Sequence, residues 1–269
     1  MALTRSEGIV LKTHALGDTS RIVVVFTREQ GLVRLVAKGA RKPPSRFGFA
    51  LEPLSRAHYI YYRKPDRDLH LLSQAETIDP IGSRLADLQR LAHAQAALEL
   101  IDRLVWGAEP HPELFDLLRA TVEAAAQAPL AALPAVTLAF ELQVASLLGY
   151  RPRLDVCANC GLDISPRRLF SPAFGGLLCN RCAASAAGAI ALSADALAGL
   201  ALLLSRPVAD AGTYLEVKRA AEIQRVVEAF FRFHFQRFQG LRSLEMLRSL
   251  PPDPNSHPEK PSGRSHPAV

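Results

Sequence analysis

The chain has 269 residues, 49% of them apolar, with a formal net charge of +6 and a pI near 9.4. That length holds one large domain or two to three small ones, and that apolar content is enough for real cores. No unbroken apolar run of eighteen residues occurs and the opening MALTRSEGIVLK lacks an apolar signal region, so neither a membrane span nor a secretory leader is expected, and a cytoplasmic location is.

Residues 8–77 read as about five short strands. GIVLKTHAL precedes a polar break, GDTS, and RIVVVFT is rich in β-branched residues. REQG has turn chemistry, with Gly31 free to take a positive φ. LVRLVAK alternates, placing Leu32, Arg34, Val36 and Lys38 on one face and Val33, Leu35 and Ala37 on the other. RAHYIYYR and LHLLSQAET follow, split by KPDRD. Five short strands suit a small closed barrel; the Greek-key OB-fold is the common solution, and an SH3-like barrel fits the same count.

The pattern then turns helical. Apolar residues at three- and four-residue spacing run from Leu85 to Val105, with Ser83 as expected N-cap. HPELFDLLRATVEAAAQA is a second helix, with Pro112 in its first turn. LPAVTLAFELQVASLLGY is a third, stopped by Gly149. SADALAGLALLLS is a further helix. TYLEVKRAAEIQRVVEAFFRFHFQRF is a long last one, expected to end at Gly240, and LRSLEMLRSL is ambiguous. PPDPNSHPEKPSGRSHPAV has almost nothing apolar to bury and reads as disordered.

Between the third helix and SADALAGLALLLS lie all four cysteines, as CANC, eighteen residues, then CNRC. Each C-x-x-C pair forms a knuckle that aims two sulfurs at one ion, and four thiolates close a tetrahedral Zn2+ shell. With no position left for water, the expected role of Cys157, Cys160, Cys179 and Cys182 is structural. Buried thiols, a redox pair and an iron–sulfur cluster are weaker readings. RRLFSPAFGGLLC between the knuckles reads as a hairpin turning at Gly175–Gly176. Arg153, Arg167, Arg168 and Arg181 lie here, either solvated or contacting an anion.

Charge is uneven. Residues 1–80 carry thirteen Lys/Arg against eight Asp/Glu, whereas residues 81–150 carry four against eight. RLVAKGARKPPSRF, Arg34 to Phe47, has five positive charges, two prolines and no carboxylate. It is either a solvated loop or a contact for a polyanion. Phe47, Phe49, Tyr59, Tyr61 and Tyr62 either fill the barrel or offer faces to bases. Phe230, Phe231, Phe233, Phe235 and Phe238 read as helical core. His93, His111 and His234 read as packing or surface residues. No nucleophile elbow, phosphate-binding glycine loop or HExxH motif occurs, which argues against an enzyme.

The stretches EGIVLKTHALGDTSRIVVVFTREQGLVRLVAKGAR, SRFGFALEPL, AFELQVASLLGYRPRLDVCANCG and FSPAFGGLLCNRC, in that order and spacing, resemble the RecO family of bacterial recombinational-repair mediators. The resemblance, over residues 1 to about 250, implies an α+β multidomain chain: an OB-fold domain over 1–80, a helical domain over 81–150 and 189–250, and a zinc module over 151–188 interrupting it; the tail read as disordered from its composition is 251–269. It implies no catalytic centre and no small-molecule substrate. The implied partners are single- and double-stranded DNA, RecR on the barrel side, and the acidic, apolar C-terminal tail of single-strand-binding protein (SSB) on the helical domain. The implied outcome is strand annealing and loading of RecA onto SSB-coated strands. DNA contact is carried onto Lys38, Arg41, Lys42 and Arg46, with Arg21 and Arg34 as further candidates, and this favours the contact reading of the basic loop. An RNA-binding or ribosome-associated OB/zinc protein is the alternative.

Overall fold

The computed structural model describes residues 2–64, 67–79, 81–164, 166–214 and 217–251. Strands β1 (Ala2–Leu16), β2 (Ser20–Thr27), β3 (Gly31–Ala37), β4 (Arg56–Arg63) and β5 (Leu69–Asp79) close a barrel in the order β1-β2-β3-β5-β4. All pairings are antiparallel except β3 with β5. This is the OB arrangement, one of the two small barrels that the strand count allowed.

β1 begins six residues earlier than Gly8, the expected start, because it has two partners. Ala2–Ile9 pairs with β4 and Gly8–Leu16 with β2. The strand passes from one neighbour to the other at Gly8, where a Cβ would run into Val25. The unbroken apolar run of β2 also has a cause. Val23 and Val25 fill the barrel with Val10, Leu35, Tyr59 and Tyr61, while Phe26 turns outward with Ile9 and Leu11 into the helical core. Phe26 meets Phe115 there, ring centroids 6.1 Å apart. A strand buried on both faces loses its alternation.

A 3-10 turn, Ile81–Leu85, leads into α1 (Leu88–Leu104), α2 (Pro112–Gln127) and α3 (Leu133–Leu147). Ser83, the expected cap, lies within this turn, and α1 begins after it. Asp87 caps α1, accepting from the backbone N–H of Gln89 and Arg90. Residues Leu130–Leu147 are long and apolar enough to cross a bilayer, yet 67% of that span is buried in this fold. Its apolarity is used by α1, α2, α5 (Ala194–Ser205) and α7 (Val217–His234), which pack around α3.

The cysteine-bearing segment leaves α3 after Gly149, whose φ of +89° ends the helix as expected. It contains the expected hairpin, β6 (Leu169–Ser171) and β7 (Gly176–Leu178), a short α4 (Asn180–Ala183), and an unforeseen third strand, β8 (Ile190–Ala191), paired with β6. After α5 come α6 (Ala211–Tyr214), α7 and α8 (Arg242–Ser249). α7 ends at His234 rather than at Gly240. Its last turns bury Phe230 and Phe231, and Phe238 folds back to within 5.0 Å of Phe231, ring to ring. That return requires the helix to stop. Of the expected disordered tail, all but residue 251 lies outside the described residues.

Candidate nucleic-acid interface and metal centre

The basic loop leaves β3 and is held from beneath. Phe47, Ala50 and Leu51 belong to the barrel core. The buried Tyr59 hydroxyl donates to Ala50 O at 2.7 Å, and Ser55 Oγ donates to Phe49 O at 2.7 Å. Burial drives the Tyr59 phenol well above its ordinary range, so it stays a donor. Arg41 ties the loop to the β1–β2 turn: its backbone N–H reaches Thr19 O at 2.9 Å and Nη1 reaches Gly17 O at 2.7 Å.

On this seat Lys38, Arg41, Lys42 and Arg46 are all exposed. Among the described residues neither Lys38 nor Lys42 has an ion pair. Arg46 lies over the Phe47 ring at 4.5 Å, which fixes its guanidinium. Next to them Phe49 presents its ring to solvent, 75% exposed. The barrel aromatics thus divide: Phe47, Tyr59 and Tyr61 are core, and Phe49 and, less fully, Tyr62 face outward.

Arg21 and Arg34 are placed differently. Arg21 Nη1 is 2.7 Å from Glu52 Oε1, so its charge is already matched. Arg34 faces a polar cleft of about 740 Å3 between the barrel and the helices, together with Lys12, Arg63, Lys64, Arg67 and Arg237. Lys12 is paired there with Asp102 at 2.6 Å. The Arg237 guanidinium lies 3.4 Å from the centre of the Trp106 ring, which is 55% exposed. This cleft was not foreseen. KPDRD carries a turn signal that hides its cations, and only the fold brings Arg237 to Trp106.

The cysteines converge as their spacing implies. Gly161, at φ +74°, turns the first knuckle so that its N–H reaches Cys157 O at 2.9 Å. The second knuckle joins the end of β7 to α4. All four Sγ atoms lie within 4.8 Å of one another. A tetrahedral ion with sulfurs at about 2.3 Å sets them about 3.8 Å apart, and Cys160 and Cys179 Sγ are 3.7 Å apart. The donor set therefore fits one metal ion.

Its electrostatics agree. Burial opposes ionisation of Cys157, but N–H groups of Cys160, Cys179 and Asn159 outweigh it and draw the thiol down to about 6. At Cys182 the Asn159 side chain, 3.4 Å from Sγ, favours the thiolate, yet the neighbouring Cys160 and Cys179 push it up to about 11. One sulfur ionises readily and another resists, as expected for clustered thiols that need a cation to ionise together. The exposed Arg181 guanidinium is directed at Cys160, and its positive charge favours the thiolates of the cluster.

The helical domain has its own features. His93 is buried and bonded to Thr137 Oγ1 at 2.7 Å, which bears out its packing role. A groove of about 450 Å3 is lined by Leu117, Leu147, Leu204 and Pro207 with Arg151 and Arg206 at hand.

The family profile described as Recombination protein O N terminal matches residues 1–81, and that described as Recombination protein O C terminal matches residues 85–245. The chain is 37% identical over 254 residues to a DNA repair protein RecO of Streptomyces griseus, covering 92% of this chain and 99% of that one. It is 34% identical over 254 residues to a DNA repair protein RecO of Symbiobacterium thermophilum, covering 93% and 98%. It is 36% identical over 247 residues to one of Anaeromyxobacter dehalogenans, covering 90% and 96%.

Proposed function

The chain belongs to the recombination protein O family of DNA repair proteins, and on that premise we propose that it is a mediator that binds single- and double-stranded DNA, anneals complementary strands and, with RecR, loads RecA onto SSB-coated single strands. The observation that carries this reading is the loop of Lys38, Arg41, Lys42 and Arg46 beside the exposed Phe49 ring. Cations displace counterions from phosphates, and an aromatic face stacks a base without regard to sequence. Holding two strands with neutralised backbones lowers the repulsion between them. No bond is made or broken by the protein.

Cys157, Cys160, Cys179 and Cys182 hold one structural Zn2+, which when bound cross-links the two knuckles. Arg153, whose backbone pairs with the β6–β7 hairpin, lies with Arg151 beside the exposed Phe174 and Tyr150, a second basic and aromatic surface. RecR meets the barrel side. The groove carries Arg151 and Arg206 against one carboxylate, Glu113, among leucines, a balance that suits the acidic, apolar tail of SSB.

Annealing of complementary strands, naked and SSB-coated, tests the reading. Acceleration on both, lost on the coated strands when the SSB tail is deleted, is expected. No acceleration, or a preference for RNA over DNA in competition, would refute it.

A further inference from the structure

A pocket of about 270 Å3 opens between α1, α3, α7 and α8. Its floor holds Glu141, in the middle of the mostly buried α3 and only 7% exposed itself. Among the described residues no hydrogen bond or ion pair reaches this carboxyl group. Buried carboxylates are nearly always paired, because leaving one without a partner is costly. Glu141 lines open space that a partner can fill.

The surroundings say what kind of partner. α7 contributes Glu228 and α8 contributes Glu245, with the amides of Gln89 and Gln224 beside them. The one cation on the lining is Arg248 of α8, which makes no ion pair with Glu141. His93 of α1 faces the same space, but its Nδ1 is engaged by Thr137 Oγ1 and burial lowers its pKa to about 4, so it is neutral. The remaining wall is Leu138, Phe238, Leu241, Leu244 and Leu247. Glu228 is already paired with Arg232 of α7 at 2.7 Å, which leaves Glu141 and Glu245 facing Arg248, and two carboxyl groups against one arginine disfavour a phosphate or an acidic peptide. The leucines favour methylene groups.

α8 forms one wall without burying any residue fully. It is held at its N-terminus, where Glu99 accepts from the backbone N–H of Arg242 at 2.8 Å and of Ser243 at 3.0 Å.

We infer that this pocket binds an organic cation on an aliphatic stem, an alkylguanidinium or alkylammonium group, with Glu141 as its counter-ion. The cation is either free in solution or the side chain of a peptide. Burial first, then the charge of Glu228, pushes the Glu141 carboxyl up to about 8, with Arg248 pulling the other way. The cation therefore competes with a proton. Affinity rises with pH from 6 to 9, by about tenfold per unit below the Glu141 pKa.

The test is calorimetric titration of the full chain with n-butylguanidinium, n-butylammonium and the neutral n-butylurea at pH 6, 7.5 and 9. A separate arm uses acetyl-Leu-Arg-Leu-amide. Saturable one-site binding of the cations, tighter at high pH, is expected, with at least a tenfold loss in Glu141→Gln and none of this binding for the urea. Leu244→Arg places a tethered guanidinium on α8 and should abolish probe binding while raising the melting temperature. It decides the matter alone if Glu141→Gln does not fold. A tripeptide tenfold tighter than butylguanidinium identifies a protein side chain as the source, and equal affinities identify a free cation. Absence of saturable binding by every cationic probe overturns the inference. So does equal binding of the urea, or affinity unchanged in both variants.

Discussion

Replacing Lys38 and Lys42 together by alanine tests the DNA-contact reading at its most exposed point. Both ammonium groups stand in solvent without an ion pair among the described residues, so each is free to displace a counterion from a phosphate. Arg41 is a poorer probe, since its guanidinium also holds Gly17 O, and its loss would loosen the loop. Each phosphate neutralised on a single strand contributes about 0.7 to the slope of log K against log salt. The double variant should therefore lose about 1.4 from that slope. At 0.1 M salt this is on the order of 25-fold in affinity, about 2 kcal/mol. Fluorescence anisotropy of a labelled oligonucleotide across a salt series measures both quantities. Arg21→Ala is the internal control: Glu52 already matches its charge at 2.7 Å, so its slope should move by less than half of one lysine's share. A double variant with the parental slope would refute the reasoning. So would an Arg21 variant that shifts the slope as much as the lysines do.

Three other outcomes follow from the geometry. Phe49→Ala should cost about 1–3 kcal/mol in single-strand binding and far less on duplex, where bases are not free to stack; its exposed ring means that thermal unfolding should be unchanged. Native mass spectrometry should find one zinc ion per chain. A strong chelator or Cys160→Ala should remove it, forfeiting binding free energy on the order of 10 kcal/mol, and hydrogen exchange should then rise first in β6, β7 and β8. Glu141→Gln should stabilise the fold in a pH-dependent way. The carboxyl pKa is raised in the folded state to about 8 from an ordinary 4.5, so the folded chain favours the proton. Stability is fully present at low pH and is lost as pH rises from 4.5 through 8. The variant escapes that loss, gaining at most about 3 kcal/mol at pH 7 and about 5 kcal/mol above pH 8; urea unfolding at pH 5, 7 and 9 reads it.

What could be read ahead of the structure was whatever depended on near neighbours in the chain. The strand pattern, the two cysteine knuckles and the glycine after α3 are local signals, and the observed elements carry them. Ends of elements were less legible. α1 starts at Asp87 because that carboxylate accepts two N–H groups, and Ser83 looks equally good as a cap until the chain's path is known. α7 stops at His234 because Phe238 must return to Phe231, a tertiary demand. The site residues divide in the same way. The loop cations are contiguous in sequence and lie together in space. Arg34 alternates with them on paper but faces another cleft. In sequence Glu141 is the one charged residue of an apolar helix, and only packing by four other helices shows that it lies almost wholly buried at the base of a pocket.

The charge asymmetry of the sequence overstates the number of phosphates that the protein engages. The first eighty residues are strongly basic and the next seventy acidic, and the fold sets these two surfaces against each other. Lys12 meets Asp102 at 2.6 Å and Arg28 meets Asp116 at 2.9 Å. In the opposite sense, Arg84 of the turn after the barrel ties Asp79 of β5 to Glu123 of α2, each at 2.6 Å. Part of the barrel's positive charge is thus spent on orienting it against the helices, in half-exposed pairs of small net worth. Most of the cations that remain gather in two places, the loop after β3 and the cleft around Arg34. A binding slope that counted every lysine and arginine of the barrel would require these interface pairs to break. A slope near the number of loop cations means that the interface stays closed while DNA is held.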